Sequence, residues 1–308
     1  MKFSCSTADL LQALQLVSRA ISGQQALPIL GNVLIEAEGR RCTVSATDLE
    51  LSIVTSFEAS IENEGSITVP AKAILNFAQY TSDPEVLLET SEGTQLKCAS
   101  KHGKTLLSGE AASEYPTIAG VEKQKSLSLE VAPLMEALHL VPFTSAKSTL
   151  RPVLSGVYVR REKGSLILVA TDSYRLSEYA IPVEDDGAEI SCIIPVKVLE
   201  ELKMVLGSRK PGREDKAAKE EGEDKAKKKQ TVEVSLGSQQ IELQVGSTRL
   251  LSRLIEGKFP PYQQIIPKET PTTVTLSASE LSTSVKRMHY FAKEANNSLT
   301  FRFGGGQV

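Results

Sequence analysis

Two aspartates, Asp48 and Asp172, are the residues whose type and spacing come nearest to a chemical site. Each follows a threonine, in ATDLEL at Ala46 to Leu51 and in ATDSYRL at Ala170 to Leu176, and they stand 124 positions apart (172 − 48 = 124). Two lobes that each contribute one carboxylate would suit a pair sharing a proton, the plan of an aspartic hydrolase. That plan needs Asp-Thr-Gly, whose glycine lets the backbone approach closely. Here the order is Thr-Asp, followed by Leu49 or Ser173. The residues favour a turn aspartate whose side chain accepts neighbouring amide protons. Other reactive groups do not converge. His102, His139 and His289 lie far apart without HExxH or Cys/His spacing, and Cys5, Cys42, Cys98 and Cys192 include no CxxC pair. No G-x-x-x-x-G-K-[ST] loop and no G-x-S-x-G elbow occurs. The expectation is reduced cysteines and no catalytic residue, metal or cofactor.

The aspartates belong to a longer repetition. Leu27 to Leu30 (LPIL) returns as Arg151 to Leu154 (RPVL), and Pro70 before AKAILNFAQY returns as Pro195 before VKVLEELKMV. The opening Ser6 to Ile21 has counterparts at Glu130 to Ser145 and again at Ser277 to Ala292. Ordered landmarks at one interval indicate tandem domains of one fold, expected at 1–122, 123–250 and 251–308, the third copy incomplete.

Each copy reads in the same order. A capped amphipathic helix opens it, with Ser6 or Thr7 before Asp9 and Leu10, Leu11, Leu14 and Val17 at helical spacing. Strands follow at Val33 to Glu38 and Cys42 to Ser45, closing on the Thr-Asp turn. A second helix is expected to start after Pro70, or Pro195, where a proline at the helix start costs no hydrogen bond. More strands are expected at Val86 to Glu89, Gln95 to Ala99, Lys104 to Ser108 and Leu299 to Phe303, the last ending in a glycine turn at Gly304 to Gly306. Two helices on antiparallel strands per copy make an α+β fold. Ser208 to Gln230 has no periodic apolar positions and reads as a charged insertion, a disordered loop or an exposed, frayed helix, solvated rather than touching nucleic acid through Lys225 to Lys229.

Composition sets wide bounds. The 308 residues carry a net charge of −3 with a pI near 5.8, which argues against a strongly basic DNA-gripping surface but not against a basic lining inside an acidic exterior. No apolar run approaches the ~18 to 20 residues that span a bilayer, and Met1 to Leu10 lacks a signal pattern. A cytoplasmic protein without membrane partners is expected.

Taken together, Met1-Lys2-Phe3, LPILGN at Leu27 to Asn32, ATDLEL, VPAK at Val69 to Lys72, RPVLSGV at Arg151 to Val157, ATDSYRL and EGKFPPY at Glu256 to Tyr262 resemble the bacterial DNA polymerase III beta subunit, the sliding clamp, across the whole chain. The resemblance implies a non-enzymatic processivity factor in replication. It implies three similar domains per subunit and two subunits closing head to tail around duplex DNA, with helices lining the hole. Arg19, Lys72, Lys197, Lys203, Lys286 and Arg287 are the implied lining cations, and Gln24 stands where clamps can carry a basic residue.

The resemblance also implies an apolar cleft for short peptides from the polymerase III catalytic subunit, the clamp loader and other polymerases or repair proteins. Its matching positions are Leu154, Thr171, Ser173, Tyr174, Arg175, Leu176, Pro260, Gln264 and Ile265, with Tyr174 in place of a commoner histidine and Gln264 where an arginine can occur. Lys104 and Leu107 on one side, and Tyr290 and Phe291 on the other, match the subunit junction. The full-length protein is implied to be a homodimer. Because the family's last strand and most of its third domain are missing here, the natural product is expected to be longer and this chain largely monomeric or aggregation-prone. A two-lobed hydrolase and a repeat-built scaffold that binds no DNA remain the alternatives.

Overall fold

The computed structural model describes residues 1–23, 27–91, 94–148, 150–184, 189–208 and 230–303. Gln24, Gly304 to Gly306 and all but the two ends of the charged insertion lie outside the described residues. The chain forms two compact units, Met1–Phe259 and Pro260–Val308.

The first unit contains both complete copies. The first runs β1 (Lys2–Ser6), α1 (Thr7–Val17), β2 (Asn32–Glu38), β3 (Arg41–Thr47), β4 (Leu51–Glu58), β5 (Ser60–Asn63), β6 (Gly65–Pro70), α2 (Ala71–Tyr80), β7 (Glu85–Ser91), β8 (Gln95–Ala99) and β9 (Lys104–Ser108). The second runs β10 (Lys125–Glu130), α3 (Val131–Leu140), β11 (Gly156–Glu162), β12 (Ser165–Thr171), β13 (Leu176–Pro182), β14 (Ser191–Pro195), α4 (Val196–Ser208), β15 (Thr231–Leu236), β16 (Gln240–Val245) and β17 (Thr248–Arg253). The expected boundary at residue 250 falls inside β17, because the repeat's last strand continues to Arg253.

Local sequence explains the elements. Along β4 the residues Leu51, Ile53 and Thr55 are buried while Ser52, Val54 and Ser56 are not, the period of two that a strand with one covered face requires. In α1 the buried Leu10, Ala13, Leu14 and Val17 keep helical spacing, and Ser6 Oγ accepts the Asp9 amide at 3.4 Å as its cap. The second helices begin after Pro70 and Pro195, as expected, and each proline also ends a strand, pairing with Asn32 and Gly156. Both sit on strands at a sheet edge, where a missing N–H leaves no ladder bond broken.

Three antiparallel sheets result, ordered β5-β1-β7-β8-β9, β10-β15-β16-β17-β4-β3-β2-β6 and β13-β12-β11-β14. The repeat is visible in that order, since β1-β7-β8-β9 corresponds to β10-β15-β16-β17 and β4-β3-β2-β6 to β13-β12-β11-β14. The eight-stranded sheet is where the copies join. There β17 pairs with β4 from Arg249↔Val54 to Ser252↔Leu51, and the buried hydroxyls of Thr55 and Thr248 meet at 3.0 Å beside the ladder. Helices α1 and α2 pack on each other, as do α3 and α4, with α1 over β3 and β4. The linker is pinned from the second copy: Glu242 takes Arg249 Nε and Nη2 at 3.0 Å each and accepts the Val121 amide at 3.5 Å.

In the second unit α5 (Ala278–Ala292) is capped by Ser277 Oγ, which accepts from the Glu280 amide. Leu299 to Phe303, expected as a strand, is irregular, because no neighbouring strand is present among the described residues to complete a ladder.

Ile53 is fully buried on β4 opposite Leu250 of β17. Ile53→Ala should lower unfolding free energy by about 2–5 kcal/mol. Urea unfolding followed by circular dichroism checks this, and a loss below about 1 kcal/mol would mean the joining strand is poorly packed.

Candidate nucleic-acid and partner interfaces

The two Thr-Asp segments form the same turn. Asp48 Oδ1 accepts the amides of Glu50 and Leu51 at 3.1 and 2.8 Å, and Asp172 Oδ1 accepts those of Tyr174 and Arg175 at 3.0 Å each. Thr47 and Thr171 act alike: each hydroxyl accepts the amide two residues on and donates to the carbonyl four residues on, Leu51 or Arg175. The fold of the turn puts Leu49 at φ 74° and Ser173 at φ 77°, left-handed positions held by these bonds. Each carboxylate also has its own cation, Lys197 Nζ for Asp48 at 2.6 Å and Arg175 Nε for Asp172 at 3.1 Å. Carboxylates committed in this way are turn-formers, not a proton-sharing pair.

Other candidate reactive groups are equally dispersed. His102 Nδ1 lies 2.7 Å from Asp83 Oδ1, whose carboxyl is held down at about 2 by the Ser100 hydroxyl and the His102 amide and ring. His139 Nδ1 lies 2.7 Å from the Met135 carbonyl. Burial pushes the Cys5, Cys98 and Cys192 thiols up to about 12. No group of three or more His, Cys, Asp or Glu suited to a metal ion occurs among the described residues.

The second turn carries most of the expected peptide cleft. Thr171 is buried, Leu176 half-buried, and Ser173, Tyr174 and Arg175 are exposed. Arg175 is fixed in place: besides Asp172, its Nη2 donates to the Phe143 carbonyl at 2.8 Å and its guanidinium lies 5.3 Å from the Phe143 ring centroid. Leu154 is buried at the end of a 3-10 turn, where its carbonyl accepts the Ala146 amide at 2.8 Å. Phe143, exposed in the 3-10 turn Pro142–Thr144, braces Arg175 and was not singled out from the sequence; an aromatic just past α3 was its only signal. Pro260, Gln264 and Ile265 lie in the second unit, all exposed, around the 3-10 turn Tyr262–Gln264.

Of the expected lining cations, Lys72 on α2 and Lys286 and Arg287 on α5 are exposed, and Lys203 on α4 is half-buried. Lys197 and Arg19 are not free. Lys197 pairs with Asp48 and Arg19 with Glu201 of α4, so both reach across from one copy to the other.

The expected junction residues divide as well. Strand β9 is an edge, and pairing sets Leu107 opposite buried Leu96 on the core side, where Leu107 packs partly against the core. Leu106 faces the other way, opposite Lys97, and is 54% exposed. Its counterpart in the equivalent hairpin is Leu251, opposite Glu242, which is only 6% exposed because β4 covers that edge. Lys104 is exposed at the start of β9. Tyr290 and Phe291 are exposed on α5, their rings edge to face at 5.5 Å.

Residues 1–119 match the family model described as the DNA polymerase III beta subunit, N-terminal domain, and residues 128–212 match the model of its central domain. The beta sliding clamp of Synechocystis sp. is 31% identical over 98% of this chain and 78% of that protein. The DNA polymerase sliding clamp from Bacillus subtilis superposes with a TM-score of 0.86 at 23% identity, covering 96% of this chain and 75% of that one. Caulobacter crescentus pol III beta gives 0.82 at 26% identity over 95% and 76%.

The amides of Tyr174 and Arg175, which stabilise the charged form first and foremost, hold the Asp172 carboxyl below the ordinary 3.8. With the folded pKa depressed, the turn's contribution is full above the unfolded value and is lost as pH falls through the lower folded one. Carbon-detected NMR titration should therefore give Asp172 a midpoint below 3.8, with the two amides shifting alongside. A midpoint at or above it would mean that the turn does not hold the carboxylate.

Proposed function

Because the chain belongs to the DNA polymerase III beta subunit family, the bacterial sliding clamps, we propose that it builds a ring around duplex DNA by repeating the strand junction that joins its own two copies. The protein is a DNA-replication sliding clamp and not an enzyme. It acts with DNA and the replicative polymerase as a dimer. The observation that carries the ring-building reading is the β17–β4 pairing, which fuses the two copies into one eight-stranded sheet. In the first copy β9 stands where β17 stands in the second, and in the second copy β13 stands where β4 stands in the first; both are sheet edges. An unpaired edge with a bare leucine such as Leu106 is a surface made to be covered. The open edge of β9, with exposed Lys104 and Leu106, supports its assignment as the subunit junction, and Tyr290 and Phe291 are the proposed apolar contribution from α5.

Topology accounts for the weak charge. Helices α1 to α4 and the turn after α1 carry Arg19, Lys72, Lys197 and Lys203 against Asp9, Glu136, Glu200 and Glu201, an even balance. A grip by phosphate neutralisation needs several net cations and fades steeply with salt. A closed ring needs neither. It keeps its partner near the primer end by tethering. For the partner, the proposed docking site is the second Thr-Asp turn. Tyr174 offers an uncovered ring, Leu176 and Leu154 apolar walls, and Arg175, braced on Phe143, a fixed donor for a peptide carbonyl or carboxylate.

Two measurements test this. Protein loaded by its cognate loader on nicked circular DNA should remain bound, run off after linearisation, and be lost from circles when Leu106 is changed to Arg; retention that ignores free ends would mean direct contact and no ring. For the cleft, Arg175→Ala should weaken binding of a clamp-binding polymerase peptide by about 1.5–3 kcal/mol in calorimetry. An unchanged affinity would remove Arg175 from the site.

A further inference from the structure

Among the described residues only two ion pairs connect the first copy to the second, and both use cations expected on the DNA-facing helices. Lys197 Nζ meets Asp48 Oδ2 at 2.6 Å, and Arg19 meets Glu201, with its Nη2 3.2 Å from Oε1. The burial is lopsided. The Asp48 and Glu201 side chains are 10% and 12% exposed, whereas those of Lys197 and Arg19 are 46% and 38% exposed. Each anion therefore lies beneath its cation and leaves the cation's outer side open. Lys72, which follows Pro70 as Lys197 follows Pro195, has no ion pair among the described residues. The same helical position is thus occupied once by a free cation and once by a neutralised one.

A phosphate approaching Lys197 or Arg19 must compete with a carboxylate already in place. The gain from that contact is cut to the difference between two anions, and fewer condensed counterions are released. We propose that Asp48 and Glu201 act as built-in counter-anions that hold down the phosphate affinity of Lys197 and Arg19, so that encircled duplex slides past the junction without being gripped. This rests on the reading of the helices as the DNA-facing surface. Junction bracing and attenuation use the same pairs, but they respond differently when only the anion is discharged.

Asp48→Asn keeps the Oδ1 that caps the turn amides and removes only the charge; Glu201→Gln does the same for Arg19. The full chain would be titrated with a fluorescent linear duplex over a range of salt concentrations, beside a thermal melt of each variant. Each substitution should tighten binding several-fold at low salt and steepen the slope of log Kobs against log salt by about 0.9 per freed cation. Lys197→Gln added to Asp48→Asn should cancel that variant's gain, which a merely loosened junction would not do. Unchanged affinity and slope in both single variants, with Lys72→Gln still weakening binding, overturns the attenuation and leaves the helix surface assignment standing. If Lys72→Gln also changes nothing, both fall together.

Discussion

A sheet edge cannot be left bare without consequence, because every unpaired N–H and C=O along it is a site for another strand. That constraint organises this molecule. The two copies do not merely touch; they satisfy each other's backbone along β17 and β4, and the Thr55–Thr248 hydroxyl pair closes the ladder from the side. Much else follows from this one pairing. The β3–β4 turn that bears Asp48 is brought under α4, so Lys197 and Asp48 meet, and the same approach brings Arg19 to Glu201. The Arg249–Glu242 pair then holds the linker at Val121 over the neighbouring strands.

The duplicated turn shows how one backbone solution takes two roles. Thr47 bonds the Leu51 carbonyl and Thr171 that of Arg175, so Leu51 and Arg175 occupy equivalent positions. Leu51 is buried, because Ser252 of β17 pairs with it across the junction. Arg175 is exposed and tied to Asp172 and Phe143 instead. Covering a turn with a neighbouring copy favours leucine there, and leaving it open favours a polar, anchored side chain. The proposed docking surface is thus the uncovered version of the internal junction.

What the sequence could reveal follows from whether the cause is local. The turns, the Ser6 cap and the strand at Val33 to Glu38 are set by neighbours within a few residues, and all were legible. The helix starts after Pro70 and Pro195 were legible, but not that each proline also closes an edge strand, which is set by pairing with a distant strand. Leu107 was matched to the subunit junction and Leu106 was not singled out, since two adjacent leucines on a strand point to opposite faces and only the register against Leu96 distinguishes them. The ion pairs of Lys197 and Arg19 were not legible, because their carboxylates come from the other copy, far away in sequence. In α5 the apolar Met288, Tyr290 and Phe291 were legible as a pattern, but only Ala292 of that helix is buried.

Retention and affinity separate physically in such a design. If the helices attracted DNA strongly, every step along the duplex would break phosphate contacts, and mobility would fall as the hold improved. With cations and anions balanced along α1 to α4 and the turn after α1, the proposed ring places its hold in the strand junctions, whose opening breaks a ladder of backbone bonds and exposes apolar side chains at once. Salt weakens exposed ion pairs far more than buried strand pairing. A tether built on β-edges can therefore let DNA move freely beneath it while resisting loss, and the few cations that remain need only keep the duplex from straying toward the wall.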